Sequence, residues 1–304
     1  MKVYSSDRFV LRLPEKHKFP MAKYRLLRER MDAHPGITVL EAPAASDAEI
    51  LTTHSPTYLQ ALKENRLERR QVLRLGFPYG LEVLERSRRS VGATLMACRS
   101  ALVDGVSANL AGGTHHAFYD EPEGYCVFND AVIAARVLRT DGLLRKVLVI
   151  DCDVHQGNGT AALAADDPLV VTMSMHGEKN FPFRKEVSDF DIPLPDGTGD
   201  EEYLEHLDRF LRHHLRPIAP DLVIYLAGAD PYSQDRLGRL SLTPEGLALR
   251  DQTVLAACRQ LAIPVALCMA GGYAPVVEEI VNIHERTLLT ALEFYQAERG
   301  PVGV

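Results

Sequence analysis

Short apolar runs alternate with amphipathic stretches along the whole sequence. The clearest runs occupy residues 147–150, 222–227 and 264–269, and each passes into a turn rich in glycine or aspartate. Runs of this length are typical of buried strands, and the amphipathic stretches between them are typical of helices. The alternation predicts one α/β domain over residues 1–304, with a mainly parallel central sheet flanked by helices on both faces.

A helical repeat is clearest in residues 203–215. Leucines recur there at helical spacing and predict one apolar stripe that faces the core. His213 lies opposite this stripe and His214 lies at its flank, so we interpret both as surface residues and not as ligands. The leucines of the stripe are Leu204, Leu207, Leu211 and Leu215.

Composition narrows the class of protein. A chain of 304 residues, 46% of them hydrophobic, is long enough and apolar enough for one large core. Its net charge of -7 argues against a general nucleic-acid binder. We interpret two arginine clusters as solvated helix faces. The first is Arg66, Arg69, Arg70 and Arg74, and the second is Arg86, Arg88 and Arg89.

Cysteine content and hydropathy bear on the cellular compartment. The cysteines number 5 and show no paired metal-ligand spacing, so disulfides are not expected. No apolar run approaches the length of a transmembrane helix, and the N-terminus lacks the pattern of a signal peptide. The sequence therefore predicts a cytoplasmic protein without a membrane partner.

The most informative stretch is residues 151–159, which follows the apolar run at 147–150. Because side chains alternate along a strand, Asp151, Asp153 and His155 are expected on one side, beyond the edge of the sheet. Burying two carboxylates and an imidazole together is costly without a cation. Such ligands suit zinc, iron(II) or cobalt. Two carboxylates and one imidazole do not fill the coordination sphere of these ions, so one position stays open for catalysis.

A further ligand is expected from a second strand end. Asp230 follows the apolar run at residues 222–227, and functional groups of open α/β sheets gather outside the carboxyl ends of strands. The alternative is that Asp230 only begins a turn before Pro231. With Asp153 and His155 at an equivalent position, we favour a metal ligand.

His115 and His116 are adjacent and follow a glycine turn. An imidazole titrates near neutral pH, so a histidine beside a metal site can accept a proton from water and later deliver one to a leaving amine. Each ring needs an acceptor for its other nitrogen, and Asp151 and Asn158 are suitable. The histidine that faces Asp151 should hold its proton more tightly. The alternative is one loop histidine and one core histidine.

Tyr273 follows the apolar run at residues 264–269 and two turn glycines. Its phenol is able to donate a hydrogen bond to a developing oxyanion. Taken alone, a buried structural tyrosine would be the simpler interpretation. The histidine pair and the metal ligands favour a catalytic one.

Five motifs, in this order, resemble those of the histone deacetylase superfamily. They are residues 112–117, 124–130, 151–155, 227–230 and 271–273, and residues 54–59 resemble an early helix motif of the same proteins. The resemblance covers nearly the whole chain and implies the arginase/deacetylase-like fold. Where class I members carry His-His-Gly-Asp, this chain has His155-Gln156-Gly157-Asn158, which is similar to the class IV branch and its bacterial relatives.

The resemblance also implies a role for each matching residue. The implied metal ligands, for one zinc ion or for iron(II), are Asp153, His155 and Asp230. His116 would act as the general base and then as the acid, and His115 would be its electrostatic partner. Tyr273 would polarise the amide oxygen. Asp151 would support His115, and Asn158 would support His116.

Further implied residues line a substrate channel or bind a second ion. Gly124 would contact the acyl-lysine through its backbone, while Tyr125 and Phe181 would form aromatic walls. Members of the superfamily commonly bind potassium near the strand that leads to the metal ligands. Ser174 is a candidate contributor to such a site beside Asp151.

The implied activity is removal of an acetyl or longer acyl group from a lysine-like amine. The substrate would be an acylated lysine peptide or an acylated small amine, with acetylpolyamines as the alternative class. A ureohydrolase holds two manganese ions and is less favoured, because Tyr232 stands where an aspartate for the second ion would be needed. A non-catalytic acyl-lysine binder is disfavoured because every motif residue is present.

Overall fold

Parallel strands form one central sheet within the residues that the computed structural model describes, 1–14 and 17–296. The strands are β1 (Lys2–Ser5), β2 (Thr38–Glu41), β3 (Val106–Asn109), β4 (Val147–Asp151), β5 (Val170–Gly177), β6 (Phe190–Leu194), β7 (Leu222–Leu226) and β8 (Val265–Cys268). Their order across the sheet is β2-β1-β3-β8-β7-β4-β5-β6, and each pairing is parallel. The predicted parallel sheet is confirmed.

Helices connect the strands. In the described part of the chain they are α1 (Ala22–Asp32), α2 (Asp47–Ile50), α3 (Pro56–Lys63), α4 (Arg69–Leu75), α5 (Leu81–Asp104), α6 (Asp130–Thr140), α7 (Asn158–Ala164), α8 (Asp200–Phe210), α9 (Arg216–Ile218), α10 (Pro244–Gln260) and α11 (Val277–Gln296). A π-helical turn, Leu211–Leu215, joins α8 to α9. Domain boundaries at residues 1 and 304 stay a prediction, since residues 15, 16 and 297–304 lie outside the described residues.

The sheet is covered on both faces, as predicted. Along β4, Leu148 and Ile150 point into one apolar cluster and Val147 and Val149 into another, because successive side chains of a strand point to opposite faces. Helices α1, α8, α10 and α11 contribute to the first cluster, and α2, α3, α4, α5, α6 and α7 contribute to the second. The strand ends are therefore fixed by packing from two sides.

The predicted helix at residues 203–215 is present but begins three residues earlier, at Asp200. Acidic side chains fill its first turn, where the amide dipoles at a helix N-terminus favour negative charge. On the predicted stripe, Leu207, Leu211 and Leu215 are buried and Leu204 is half-buried. His213 is exposed, as expected for a surface residue.

Two other expectations concern cysteines and arginines. All the cysteines are buried and free, and the sequence analysis had predicted no disulfides. The prediction of solvated arginines is wrong for Arg86, whose guanidinium is buried and lies 4.5 Å from the centre of the Tyr24 ring. Arg74 is half-buried and pairs with Glu121 and Glu123, which is compatible with a place on a helix surface.

Among residues 1–14 and 17–296, no helix combines the length and the apolar character needed to cross a bilayer.

A buried ion pair supports the loops at the carboxyl ends of β4 and β7. Arg250 Nε donates to Asp251 Oδ1 at 2.9 Å, and both residues are fully buried. Arg250 Nη1 donates at 2.6 Å to the carbonyl of Gly228, in the turn that follows β7. Tyr225 and Thr287 donate to the same aspartate. The pair thus fixes the backbone that leads from β7 into its C-terminal loop.

We expect Arg250→Leu to lower the free energy of unfolding by about 3–5 kcal/mol, because it leaves Asp251 buried without its cation. Urea unfolding followed by circular dichroism measures this change. The matched control is Arg212→Leu, which breaks an exposed pair with Asp208 and should cost less than about 1 kcal/mol. Equal losses in the two variants would contradict the importance of the buried pair.

Candidate metal centre and active site

Three buried side chains meet where β4 and β7 end. Asp153, His155 and Asp230 offer ligand atoms that all lie within 4.8 Å of one another. His155 Nδ1 is 2.9 Å from Asp153 Oδ1 and 3.2 Å from Asp230 Oδ2. These are the three residues proposed as metal ligands from the sequence, and they lie in the segments that directly follow the adjacent strands β4 and β7.

The Asp151 side chain is not part of the metal-ligand cluster. The alternation of side chains along a strand had predicted that it would lie on the same side as Asp153 and His155. The strand ends at Asp151, so residues 152–155 follow bends and not the two-residue repeat of a strand. Asp151 Oδ2 lies 2.7 Å from Nδ1 of His115. Its position agrees with the supporting role implied by the family resemblance.

The chemistry of the three-residue cluster fits a divalent cation. Asp230 Oδ2 is buried and makes no hydrogen bond. Burial, together with the charge of Asp153, raises the pKa of Asp230 to about 7. Burial opposes a charge on His155, but the two carboxylates outweigh it and raise the pKa of His155 to about 10. A cation shared by these groups would remove the need for those protons.

Backbone amides orient the carboxylates. Val154 donates to Asp230 Oδ1 at 2.9 Å, and Gly271 donates to Asp153 Oδ2 at 2.8 Å. Gly271 leaves room for both carboxylates, because a Cβ there would overlap Asp230 Oδ2 and lie 2.6 Å from Asp153 Oδ2. The turn after β8 therefore closes the cluster only with glycine at position 271.

The predicted pairing of the two histidines is present. His116 Nδ1 lies 2.7 Å from Asn158 Oδ1, and His115 Nδ1 contacts Asp151 as described. Burial disfavours charge on His115, but Asp151 and Asp153 outweigh it and raise its pKa to about 9. Burial and the charges of the neighbouring histidines lower the pKa of His116 well below its usual value. The two rings thus differ in basicity in the direction that their partners suggested.

A buried aspartate holds the loop that carries both histidines. Asp130, at the start of α6, accepts hydrogen bonds from the amides of Gly113 and Thr114, at 2.9 Å and 2.8 Å. The preceding Asn129 caps α6 and donates its own amide to Nε2 of His54 at 2.9 Å. This asparagine–aspartate pair belongs to a motif identified in the sequence, and the structure gives it a positioning function.

A cavity of about 330 Å³ reaches His116 and His155 and is lined by the predicted channel residues. Its lining includes Gly124, Tyr125, Phe181 and Tyr273. The Phe181 ring centre is 5.0 Å from that of His116, and the Tyr273 ring centre is 6.3 Å from that of His155. Gly124 has a φ of +52°, and a Cβ there would lie 2.5 Å from His116 Cδ2. Glycine is therefore required between the channel and the histidine.

Several supporting residues escaped the sequence analysis. Asp235 accepts a hydrogen bond from the amide of Tyr273 at 2.6 Å. Lys23 is buried and donates to the carbonyls of Ala270 and Gly272, at 3.2 Å and 3.4 Å, in the turn that carries this tyrosine. Glu123 accepts from Asn158 Nδ2 at 2.7 Å. The available signal for Glu123 was its place directly before Gly124, a predicted channel residue.

Comparison with known proteins identifies the family to which the chain belongs. The fold matches a crystal structure of an HDAC homolog complexed with SAHA, with a TM-score of 0.79, 22% identity and coverage of 97% of this chain and 88% of that one. The histone deacetylase domain model matches residues 15–288. The chain belongs to the histone deacetylase family.

Relatives extend this assignment along the sequence. Histone deacetylase 2 of Arabidopsis thaliana is 32% identical over 265 residues, covering 83% of this chain and 68% of that protein. A Picosynechococcus sp. protein described only as uncharacterised is 39% identical over 297 residues, covering 96% of this chain and 98% of its own. Histone deacetylase 8 of Xenopus laevis is 29% identical over 257 residues, covering 77% of each chain.

We expect Gly271→Ala to abolish metal binding, because the added methyl group overlaps the carboxylates of Asp153 and Asp230. Calorimetric titration of the metal-stripped protein with zinc measures the effect. Gly199→Ala is the matched control, since a Cβ at Gly199 meets no atom within 4 Å. Unchanged zinc affinity in Gly271→Ala would contradict this description of the cluster.

His54 makes stability depend on pH. Burial lowers the pKa of His54 from 6.5 to about 4, outweighing the hydrogen bond to the Phe118 carbonyl, which favours the charged ring. The Asn129 amide donates to Nε2, so that nitrogen carries no proton in the folded protein. The unfolded chain therefore binds a proton at higher pH than the folded protein, and stability falls as the pH drops from 6.5 to about 4. We expect this residue to contribute a loss of about 3 kcal/mol over that window.

Urea unfolding at a series of pH values measures the loss against His54→Gln, which keeps a donor and an acceptor but does not titrate. The variant should show a shallower decline between pH 6.5 and 4. The same decline in both proteins would show that other groups cause it.

Proposed function

We propose that this protein is a metal-dependent hydrolase that removes an acyl group from a lysine-like amine. The observation that best supports this proposal is the convergence of three kinds of group on one cavity of about 330 Å³. The first is the cluster of Asp153, His155 and Asp230, of which His155 lines the cavity. The second is the His115–His116 pair, of which His116 lines it, and the third is Tyr273, which lines it as well. Membership of the histone deacetylase family adds support to this activity.

We infer that the cluster holds zinc, or iron(II). Two carboxylates and one imidazole are ligands that both ions accept, with coordination positions left over. A cation held there supplies Lewis acidity to a carbonyl oxygen and to water. In the described part of the chain, this is the one group of three metal-ligating residues that the structure brings together. A binuclear ureohydrolase is correspondingly less favoured.

His116 is suited to move protons during hydrolysis. Its ring is neutral because its pKa is lowered, so it can accept a proton from the attacking water and then deliver it to the leaving amine. His115 keeps its proton beside Asp151 and places positive charge near the reacting groups. The two histidines would thereby divide the acid and base function from the electrostatic function.

Tyr273 is suited to stabilise the oxyanion. Burial raises the pKa of its phenol further above the usual value, so the group stays a hydrogen-bond donor at any physiological pH. Its ring borders the cavity and lies close to His155. A preorganised donor aimed at developing charge is worth about 10²–10³ in rate.

The cavity walls suit a long aliphatic side chain. Tyr125, Phe181 and Phe183 line the cavity that leads to His116 and His155. An acyl-lysine is an aliphatic chain ending in an amide, and such a chain gains by apolar contact along aromatic walls. The HDAC homolog of similar fold was crystallised with SAHA. Both points support an acylated lysine peptide or an acylated small amine as the substrate.

Other inferences from the family resemblance stay predictions. Gln156, which suggested the class IV branch, donates a hydrogen bond from Nε2 to the Glu186 carbonyl at 2.7 Å. This contact supports the loop beside Phe181. Ser174, the candidate potassium contributor, pairs in register with Asp151 across β4 and β5. These contacts are compatible with a class IV-like enzyme and a potassium site.

Activity against a panel of acyl-lysine peptides and acetylpolyamines, with metal content measured in parallel, tests the proposal. We expect metal-dependent turnover that His116→Ala lowers by about 10²–10⁴-fold and Tyr273→Phe by about 10²–10³-fold. The exposed His213→Ala serves as the control and should retain full activity. Undiminished turnover in either active-site variant would refute the assigned roles.

A further inference from the structure

Asn158 makes two hydrogen bonds with its side chain. Its Oδ1 lies 2.7 Å from Nδ1 of His116, and its Nδ2 donates to Glu123 Oε2 at 2.7 Å. Glu123 is half-buried and does not belong to the lining of the cavity. It therefore acts on the site through Asn158 and not through the substrate.

The chemistry of these groups fixes their orientation. A carboxylate only accepts hydrogen bonds, so the amide nitrogen of Asn158 must face Glu123 and the amide oxygen must face His116. That oxygen also only accepts, so Nδ1 of His116 carries the hydrogen. In the neutral ring, Nε2 then keeps its lone pair. With the amide turned over, Nε2 would carry the hydrogen and the ring would be unable to act as a base there.

An ion pair holds Glu123 in place. Its Oε1 accepts from Arg74 at 3.1 Å from Nε and 2.6 Å from Nη2. The Glu123 amide donates to the carbonyl of Cys126 at 3.1 Å, and the Gly124 amide donates to the carbonyl of Arg74 at 3.0 Å. Arg74 thus leaves the other carboxylate oxygen, Oε2, to Asn158. An aspartate at position 158 would need no such orienting partner, because both of its oxygens accept.

We propose that Glu123 is a positioning residue that sets the tautomer of His116 by fixing the direction of the Asn158 amide. The importance of this tautomer for turnover rests on the proposed function. The tautomer itself does not, and it is measurable whether or not a substrate is known.

Glu123→Gln is the informative change. Arg74 only donates, so it would bind the amide oxygen of the new side chain and turn its nitrogen toward Asn158. The Asn158 oxygen would then accept from this glutamine, and the Asn158 nitrogen would donate to Nδ1 of His116. The hydrogen of the neutral His116 ring would therefore move to Nε2, which inverts the tautomer. Adding Asn158→Asp should restore it, because an aspartate accepts from the glutamine and from His116 together.

Long-range ¹H–¹⁵N correlation spectra of the full-length, ¹⁵N-histidine-labelled protein report which nitrogen of His116 carries hydrogen. We expect Nδ1–H in the native protein, Nε2–H in Glu123→Gln and Nδ1–H again in the Glu123→Gln/Asn158→Asp double variant. The control is Glu121→Gln, whose parent side chain pairs with Arg74 rather than with Asn158. It should leave the tautomer unchanged.

Turnover provides a second reading of the same variants. For a hydrolysed substrate, Glu123→Gln should lower kcat about 100-fold or more with little change in KM, and the double variant should recover most of the loss. If His116 keeps Nδ1–H in Glu123→Gln, the inference is overturned whatever the activity. If the tautomer inverts but no acylated amine is hydrolysed by the native protein, the role of Glu123 holds and the proposed function fails.

Discussion

Negative charge held inside an apolar domain is the constraint on which this site depends. Asp153 and Asp230 are buried together, and each contacts the ring of His155. Water cannot solvate these carboxylates, so amides, protons or a cation must compensate them. The amides of Val154 and Gly271 supply part of the compensation. In our proposal a divalent cation supplies the rest, and hydrolysis exploits the same cation.

The packing of the central sheet holds these compensating groups in place. The cluster stands at the ends of two adjacent central strands whose residues are all buried, so its geometry is tied to the packing of the sheet. Arg250 fixes the turn after β7 through the Gly228 carbonyl. Asp130 fixes the loop of the paired histidines in the same way. In our proposal, the acid and base chemistry belongs to side chains that border the cavity beside this cluster.

The sequence was most informative where chemistry coincides with a strand end. Hydrophobic runs located β4 and β7, and that placement predicted that Asp153 and Asp230 would meet. Glu123 and Asp235 were missed because they lie in loops without periodicity, and their partners Asn158 and Tyr273 are 35 and 38 residues away in the chain. The order of strands across the sheet was also beyond the hydrophobic pattern, since pattern identifies strands but not their neighbours.

Anomalous diffraction at the zinc edge, from crystals of the protein soaked in zinc, addresses the metal centre directly. A single strong peak bonded to carboxylate oxygens of Asp153 and Asp230 and to Nδ1 of His155 is the expected result. A peak bonded elsewhere, or no peak with the three side chains turned away from one another, would contradict the proposed centre and the hydrolysis built on it.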